Sequence, residues 1–341
     1  MKNILIVTPN PMAPPHPRVE MICEILKEEN FNVKVLHPPQ NTSLLKRTLF
    51  LMREMRRLSP ENDTFIVYDL LTLLYVPFLK KKKIVYDVLD NFPSYYPYQF
   101  FKNKRPVVKK VMSWLLSKIE FWLTKNHVSM TLVNSKALYK RFTANSTRHH
   151  AKLLYYSSPF ETIKIKNNPS LPPCLIYLGL FDKEKGAEKI LDLFYSLSQD
   201  VPKLKLYIFG DIVYPVPKHE NVITQSRLSK SSLTLELSTI LKKNFLLGVS
   251  LIESVHYSYQ TQEANKDIDY LACGIPIIGN KRVPTYEKIQ SECGVLHTNR
   301  QQIVELLTNE DSRFSYIQNC LQVYQKNYSK STFESIIKSL K

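Results

Sequence analysis

Glycine is scarce in this 341-residue sequence: there are seven, and none precedes Gly179. The first half therefore holds no G-x-G-x-x-G turn, which excludes a dinucleotide site of the glycine-rich kind there. Acidic residues are also short, 30 against 47 basic, so the formal charge is +17 and anionic partners are favoured. Cysteine is sparse and poorly spaced for chemistry. Cys23, Cys174, Cys273, Cys293 and Cys320 are odd in number, far apart and without a C-x-x-C pair. That argues against a disulfide framework or a zinc site and fits a reducing cytoplasm. The eight histidines, the His149-His150 pair included, show no H-E-x-x-H spacing, and no G-x-S-x-G or Cys/His hydrolase signature occurs. Long apolar runs are missing too. MKNILIVTPNP carries only Ile4 to Val7 before its prolines, too short for a signal peptide or a membrane span.

What is present is a repeated alternation of short apolar runs with helical patterns, the mark of parallel α/β architecture. Ile4 to Val7 reads as a buried strand, Arg18 to Glu29 as a helix and Val33 to Leu36 as the next strand. After Ser157-to-Pro173, a segment rich in proline and polar residues, Cys174 to Leu178 restarts the pattern, so two domains are expected.

The most informative stretch is Ala264 to Asn280, ANKDIDYLACGIPIIGN. Asn265 is expected to cap a helix whose first N–H groups face an anion such as a phosphate. Asp269 lies one turn on along the same face, placed for a sugar hydroxyl of the same ligand. Ile268, Leu271 and Ala272 form the buried face, Gly274 suits the helix stop, and Ile275 to Ile278 begins a strand.

This stretch resembles the donor-site signature of GT-B glycosyltransferases, specifically the family-4-like retaining enzymes with a PNKLFEYLACGLPVI pattern. The resemblance implies an α/β GT-B fold, two Rossmann-like β/α/β domains facing across a cleft. It implies an acceptor-side domain over 1–160, a donor domain over 170–324, and a helix over about 325–341 returning to the first domain. In the family the acidic residue, Asp269 here in place of glutamate, holds the donor ribose, and the helix start faces the diphosphate. Other segments match in part. Gly179 and Lys185-Gly186 resemble the family's GRLxxEKG, Gly179 letting the ligand approach the backbone and Lys185 meeting the diphosphate. The family's arginine after the first glycine is Leu180 here, so phosphate binding leans on Lys185, the helix start and Lys266. NVITQSRLS resembles NVxFxGRVS, which puts Leu228 near the donor base. Where family members complete E-x7-E this chain has Thr261; Gln260, Gln262, Glu263, His256 and Tyr257 are the candidate substitutes.

On the acceptor side, His16-Pro17-Arg18-Val19 looks like the family's DPRV. There Arg18 would meet an anionic group and His16 a hydroxyl, or both would be ordinary residues of a helix start. YDVLDNFP resembles a YDxxD segment and ends a strand at Asp90, either an acceptor-side and catalytic carboxylate or a turn residue. Leu89 replaces the histidine of YDVHD, whose role does not carry over.

Lys102, Lys104, Arg105, Lys109 and Lys110 precede a helix bearing both tryptophans, Trp114 and Trp122. Two readings stand: an interfacial contact with an anionic membrane, or a core helix with solvated lysines. The expected function is metal-independent sugar transfer, with no cofactor, from a nucleotide-sugar to a glycan or lipid-linked acceptor, with Lys185 as the catalytic charge. Surface polysaccharide synthesis at the inner face of a bacterial cell membrane is the expected setting. An epimerase or hydrolase of nucleotide sugars, and a non-catalytic subunit of this fold, remain alternatives. Nucleic acid is not an expected partner, because the aromatics beside the basic cluster suit a helix rather than a stacking platform.

Overall fold

Strand runs such as Ile4-Leu5-Ile6-Val7 and Leu175-Ile176-Tyr177-Leu178 are buried along their length, as strands covered by helices on both sides must be. The computed structural model describes residues 2–9, 17–79, 81–100, 104–144, 150–253 and 257–339. In chain order come β1 (Asn3–Val7), α1 (Pro17–Glu28), β2 (Asn32–Leu36), α2 (Leu44–Leu58), β3 (Thr64–Tyr68), α3 (Asp69–Leu73), β4 (Lys83–Val88), α4 (Phe92–Phe100), α5 (Pro106–His127), β5 (Met130–Val133), α6 (Lys136–Thr143) and β6 (Ala151–Leu153). Then follow β7 (Pro173–Leu178), α7 (Ala187–Ser198), β8 (Lys205–Phe209), β9 (Val222–Gln225), α8 (Lys230–Leu241), β10 (Phe245–Ser250) and α9 (Tyr257–Thr261). The chain continues with α10 (Asn265–Ala272), β11 (Ile277–Gly279), α11 (Val283–Gln290), β12 (Gly294–Leu296), α12 (Arg300–Thr308), α13 (Glu310–Asn327) and α14 (Lys330–Lys338).

The first of two units comprises the described residues within 1–155, 256–262 and 333–341. Its six strands are parallel in the order β2-β1-β3-β4-β5-β6. Alternation along β1 divides the core. Ile4 and Ile6 face α1 and α14, meeting Ile22, Ile25, Phe333 and Ile337. Leu5 and Val7 face the other layer, with Leu51 and Met55 of α2, Leu70 and Leu73 of α3 and Leu123 of α5. Each buried side chain of this size stabilises by about 1.5–3 kcal/mol relative to exposure.

The second unit comprises the described residues within 156–255 and 263–332. Its parallel strands run β9-β8-β7-β10-β11-β12. The order steps outward from β7 to β9 and then reverses to β10, so the ends of β7 and β10 flank a topological switch point, where open α/β sheets bind ligands. The proline-rich segment after residue 156 is no loose linker. Asn167 Nδ2 donates to Leu246 O at 2.8 Å and its Oδ1 accepts from Leu246 N at 2.8 Å, binding this segment to β10 like an added strand residue.

Candidate functional site

At the switch point of the second unit, Gly179 follows β7 with φ +113°, a conformation that favours glycine. A Cβ built on it would meet nothing within 4 Å, so a ligand has open access to this backbone. Opposite, α10 is seated by one aromatic residue. Tyr270 lies against Gly248 of β10, where a Cβ would come within 2.4 Å of the ring. Its hydroxyl accepts from Leu178 N and donates to Ile176 O, both at 3.2 Å. The helix start is thereby fixed beside the end of β7.

The register of that start differs from expectation. Ala264, not Asn265, occupies the cap position and supplies no side-chain hydrogen bond; Asn265 is the first helical residue and is exposed. The carbonyl of Ala264 already accepts from Asp267 N at 3.0 Å, which sets the boundary one residue earlier. The first-turn N–H groups are therefore not capped by the side chain of Asn265, which suits them to an anion from outside.

Lys266 is half-buried with its ammonium 3.7 Å from the centre of the Tyr177 ring. Burial drives its pKa down to about 7; the Asp267 carboxylate opposes this, while the charges of Lys185 and Arg282 add to it. Lys185 is thus near enough for its charge to act on Lys266, a repulsion that an anionic ligand would relieve. The backbone of Lys185 is held by its N–H donating to Asp182 Oδ1 at 2.7 Å. Asp269 is half-buried and accepts from Ser158 Oγ at 2.6 Å. Burial raises its carboxyl to about 7, and the Ser158 bond only partly offsets this. Leu228 is half-buried immediately before the first turn of α8.

One site carboxylate had no local signal. Asp267 is fully buried, its Oδ2 taking Arg282 NH2 at 3.0 Å and Thr285 Oγ1 at 2.7 Å. Burial alone would raise its pKa, but Arg282 and Lys288 outweigh burial and hold the carboxyl below the usual range. This network anchors α10 to α11. Among the candidate E-x7-E substitutes, Glu263 is buried in an ion pair with Lys288 at 2.5 Å, and Gln262 Nε2 donates to Leu89 O at 3.0 Å. Glu263 is thereby corrected from sugar recognition to packing, and the amide nitrogen of half-buried Gln262 is committed to the backbone after β4. Thr261 is buried, Gln260 and the backbone of Tyr257 belong to α9, and His256 lies outside the described residues.

In the first unit the strand order reverses between β1 and β3, and two carboxylates, Asp69 and Asp90, follow the ends of the neighbouring strands β3 and β4. Arg18 is not placed for a ligand. Its guanidinium is 1% exposed and fully engaged, Nε to Asp87 Oδ2 at 2.8 Å, NH2 to Asp87 Oδ1 at 2.5 Å and NH1 to the Leu154 carbonyl. The anion expected for it is Asp87, inside the fold. His16 lies outside the described residues. Asp90 is half-buried after β4, its carbonyl accepting from Phe92 N at 2.9 Å. Beside it stands Asp69, which no sequence pattern singled out: buried, with φ +80°, directly after β3. Its Oδ2 accepts from the Tyr96 hydroxyl and its Oδ1 from Leu71 N at 3.0 Å. Burial pushes its carboxyl up to about 7, Tyr96 and Leu71 N opposing and Asp90 adding. A non-glycine residue held at such a φ at a strand end is strained, a frequent mark of a functional position.

On α5 the core alternative for the tryptophans is overturned. Trp114 is 59% and Trp122 56% exposed, alongside exposed Val107, Val111 and Leu115, because the helix buries its other face through Glu120, Leu123 and Thr124. Lys104, Arg105 and Lys110 are exposed, Lys109 is half-buried with its ammonium 5.1 Å from the Tyr98 ring centre, and Lys102 lies outside the described residues.

No family model matches the chain, and no curated protein matches it by sequence. Solved structures do match over essentially its whole length. Sucrose-phosphate synthase from Thermosynechococcus elongatus aligns with a TM-score of 0.71 at 13% identity, over 100% of this chain and 98% of that one. HepE from Anabaena, in complex with UDP and glucose, gives 0.66 at 14% identity over 100% and 99%. WaaG, a glycosyltransferase involved in lipopolysaccharide biosynthesis, gives 0.65 at 10% identity over 98% and 99%. The chain has the GT-B fold. Its two six-stranded parallel sheets are the two Rossmann-like halves of that fold.

Proposed function

We propose that the chain is a glycosyltransferase: the second unit binds a nucleotide-activated sugar, and the sugar passes to an acceptor hydroxyl bound by the first. The observation that carries this reading is the grouping of Lys185 and Lys266 with the Asp269 carboxylate around the α10 start, beside the open backbone of Gly179. In transfer, the bond from the anomeric carbon to the phosphate oxygen breaks and its electron pair stays on the diphosphate. The acceptor oxygen bonds to the anomeric carbon, and its proton leaves with the diphosphate. Charge grows on the phosphate as the bond breaks, so Lys185, Lys266 in the protonated form that the diphosphate favours, and a helix dipole lower the barrier without a metal. Asp269 accepts from a ribose hydroxyl. Retention at the anomeric carbon belongs to the same reading, as do acceptor-side roles for Asp69 and Asp90. The UDP and glucose held by HepE support a nucleotide-sugar ligand for this shared architecture.

The exposed, basic-flanked tryptophans of α5 favour a lipid-linked acceptor at an anionic membrane surface, the arrangement that surface polysaccharide synthesis requires. Among the described residues no helix is long and apolar enough to cross a membrane, so the contact proposed is peripheral. A second reading, a non-catalytic protein of this fold, draws on Leu180 replacing the family arginine and on Thr261 being buried where a glutamate would serve.

The test is calorimetry with UDP, other nucleotides and nucleotide sugars, followed by turnover with the sugar that binds. Asp269→Asn is expected to weaken nucleotide binding by about 1.5–3 kcal/mol while circular dichroism shows the fold intact. Lys185→Ala is expected to depress turnover at saturating donor far more than it raises KM. Tight nucleotide binding with no transfer to any acceptor would decide for the second reading.

A further inference from the structure

Helix α2 presents a second apolar stripe to solvent on the same side of the first unit's sheet as α5. Leu51 and Met55 sink into the core, while Leu45, Leu49 and Met52, at helical spacings of four and three, are 68%, 52% and 38% exposed. Lys46, Arg53 and Arg56 are exposed along that stripe. Between the two helices, α3 packs against both, and the 3₁₀ turn Val76–Phe78, itself in contact with α5, carries Phe78 at 68% exposure. Leu74, at the end of α3, is exposed as well. Exposed apolar side chains thus occur on α2, at Leu74 and Phe78 on the packed elements between, and on α5 at Val107, Val111, Trp114 and Trp122.

We propose that α2, the 3₁₀ turn and α5 form one continuous anionic-lipid-binding face, so that the first unit lies on a bilayer through two helices rather than one. This rests on the membrane contact proposed for α5. Charge selects the occupant. Helix α2 has five basic residues, Lys46, Arg47, Arg53, Arg56 and Arg57, against the single acid Glu54, which is engaged by Arg57 at 2.7 Å. A second copy of the chain meeting this face symmetrically would set like charges against each other, whereas an anionic headgroup layer matches lysine and arginine at its surface and takes Leu45, Leu49, Phe78 and the tryptophans at the acyl boundary.

Co-sedimentation tests the proposal, using vesicles of phosphatidylcholine with phosphatidylglycerol and of phosphatidylcholine alone, at low and high salt. The proteins are wild type, an α2 variant (Leu45→Ser, Leu49→Ser, Met52→Ser) and an α5 variant (Trp114→Ser, Trp122→Ser). All the replaced residues are exposed, so both variants are expected to keep wild-type circular dichroism and nucleotide binding. Wild type should bind only the anionic vesicles and be released by salt, and each variant should lose partition by about tenfold or more. An α2 variant that partitions like wild type while the α5 variant does not would overturn the two-helix face and leave the α5 contact standing. Wild type that ignores anionic vesicles at low salt would overturn both. An α2 variant that keeps vesicle binding but converts a dimer to a monomer in analytical ultracentrifugation would give this face to a second copy instead.

Discussion

Lys266 combines two properties seldom found in a surface lysine: an ammonium resting on an aromatic ring and a pKa lowered to about 7. At pH 8 it is therefore mostly neutral, and a bound diphosphate, which favours the charged form, should draw a proton onto it. Calorimetry of UDP binding at pH 8 in buffers of different ionisation enthalpy is expected to show net proton uptake, and Lys266→Met to abolish it. Equal binding enthalpies in all buffers would exclude the role. Asp69 and Asp269 work in the opposite sense on folding. Their carboxyls, raised to about 7, hold protons that the unfolded chain has already lost. The folded state then binds more protons between about pH 4 and 7, so the stability these groups contribute is full at the acid end and lost as pH rises through 7. Asp69→Asn should flatten that slope in denaturant titrations across the range. The placement of Lys266 and Asp269 on one short helix was legible in the sequence, because their spacing can be read directly. Asp69 was not legible. Its burial and positive φ come from the junction of β3 and α3 and from Tyr96, 27 positions on. Arg18 misled for the same reason, because its partner Asp87 is 69 positions away.

Among the elements, α10 shows how a helix becomes a site only through what seats it. Its apolar side, Ile268, Leu271 and Ala272, is as buried as the sequence pattern requires. What places its start beside Gly179 is the fit of Tyr270 into the space left by Gly248. Gly248→Ala would drive a methyl into that ring, and overpacking of this kind costs about 1–3 kcal/mol. We expect a matching drop in unfolding free energy and, because the helix start moves, weaker UDP binding than the loss of stability explains. Full UDP affinity in a folded Gly248→Ala protein would mean that Tyr270 does not position the helix. The strands β1, β2, β4 and β7 and the helix α1 were readable from periodicity, whereas the start of α10 was misplaced by one residue. Asn265 has the stronger intrinsic capping preference, and tertiary packing through Tyr270 and the Asp267–Arg282 pair prevails over it.

For the whole molecule, the proposed chemistry and the proposed membrane contact lie on separate elements and should respond to separate ligands. Hydrogen exchange is expected to slow at 179–186 and α10 when UDP is added, and at α2 and α5 when anionic vesicles are added. Protection of α2 by UDP alone would contradict that division. Stability, by contrast, draws on distant parts of the chain. Phe333 of α14 is buried against the same layer as Ile4 and Ile6, and Phe333→Ala should cost about 3–5 kcal/mol in denaturant unfolding. Its position also sets an order of events during synthesis. The strands β1 to β6 leave the ribosome with α1 alone of the two helices α1 and α14 that cover that layer, and Phe333 and Ile337 are translated after every residue of the second unit. The nascent first unit must therefore wait, with part of its apolar layer open to chaperones and to misassociation, while the second unit can close ahead of it.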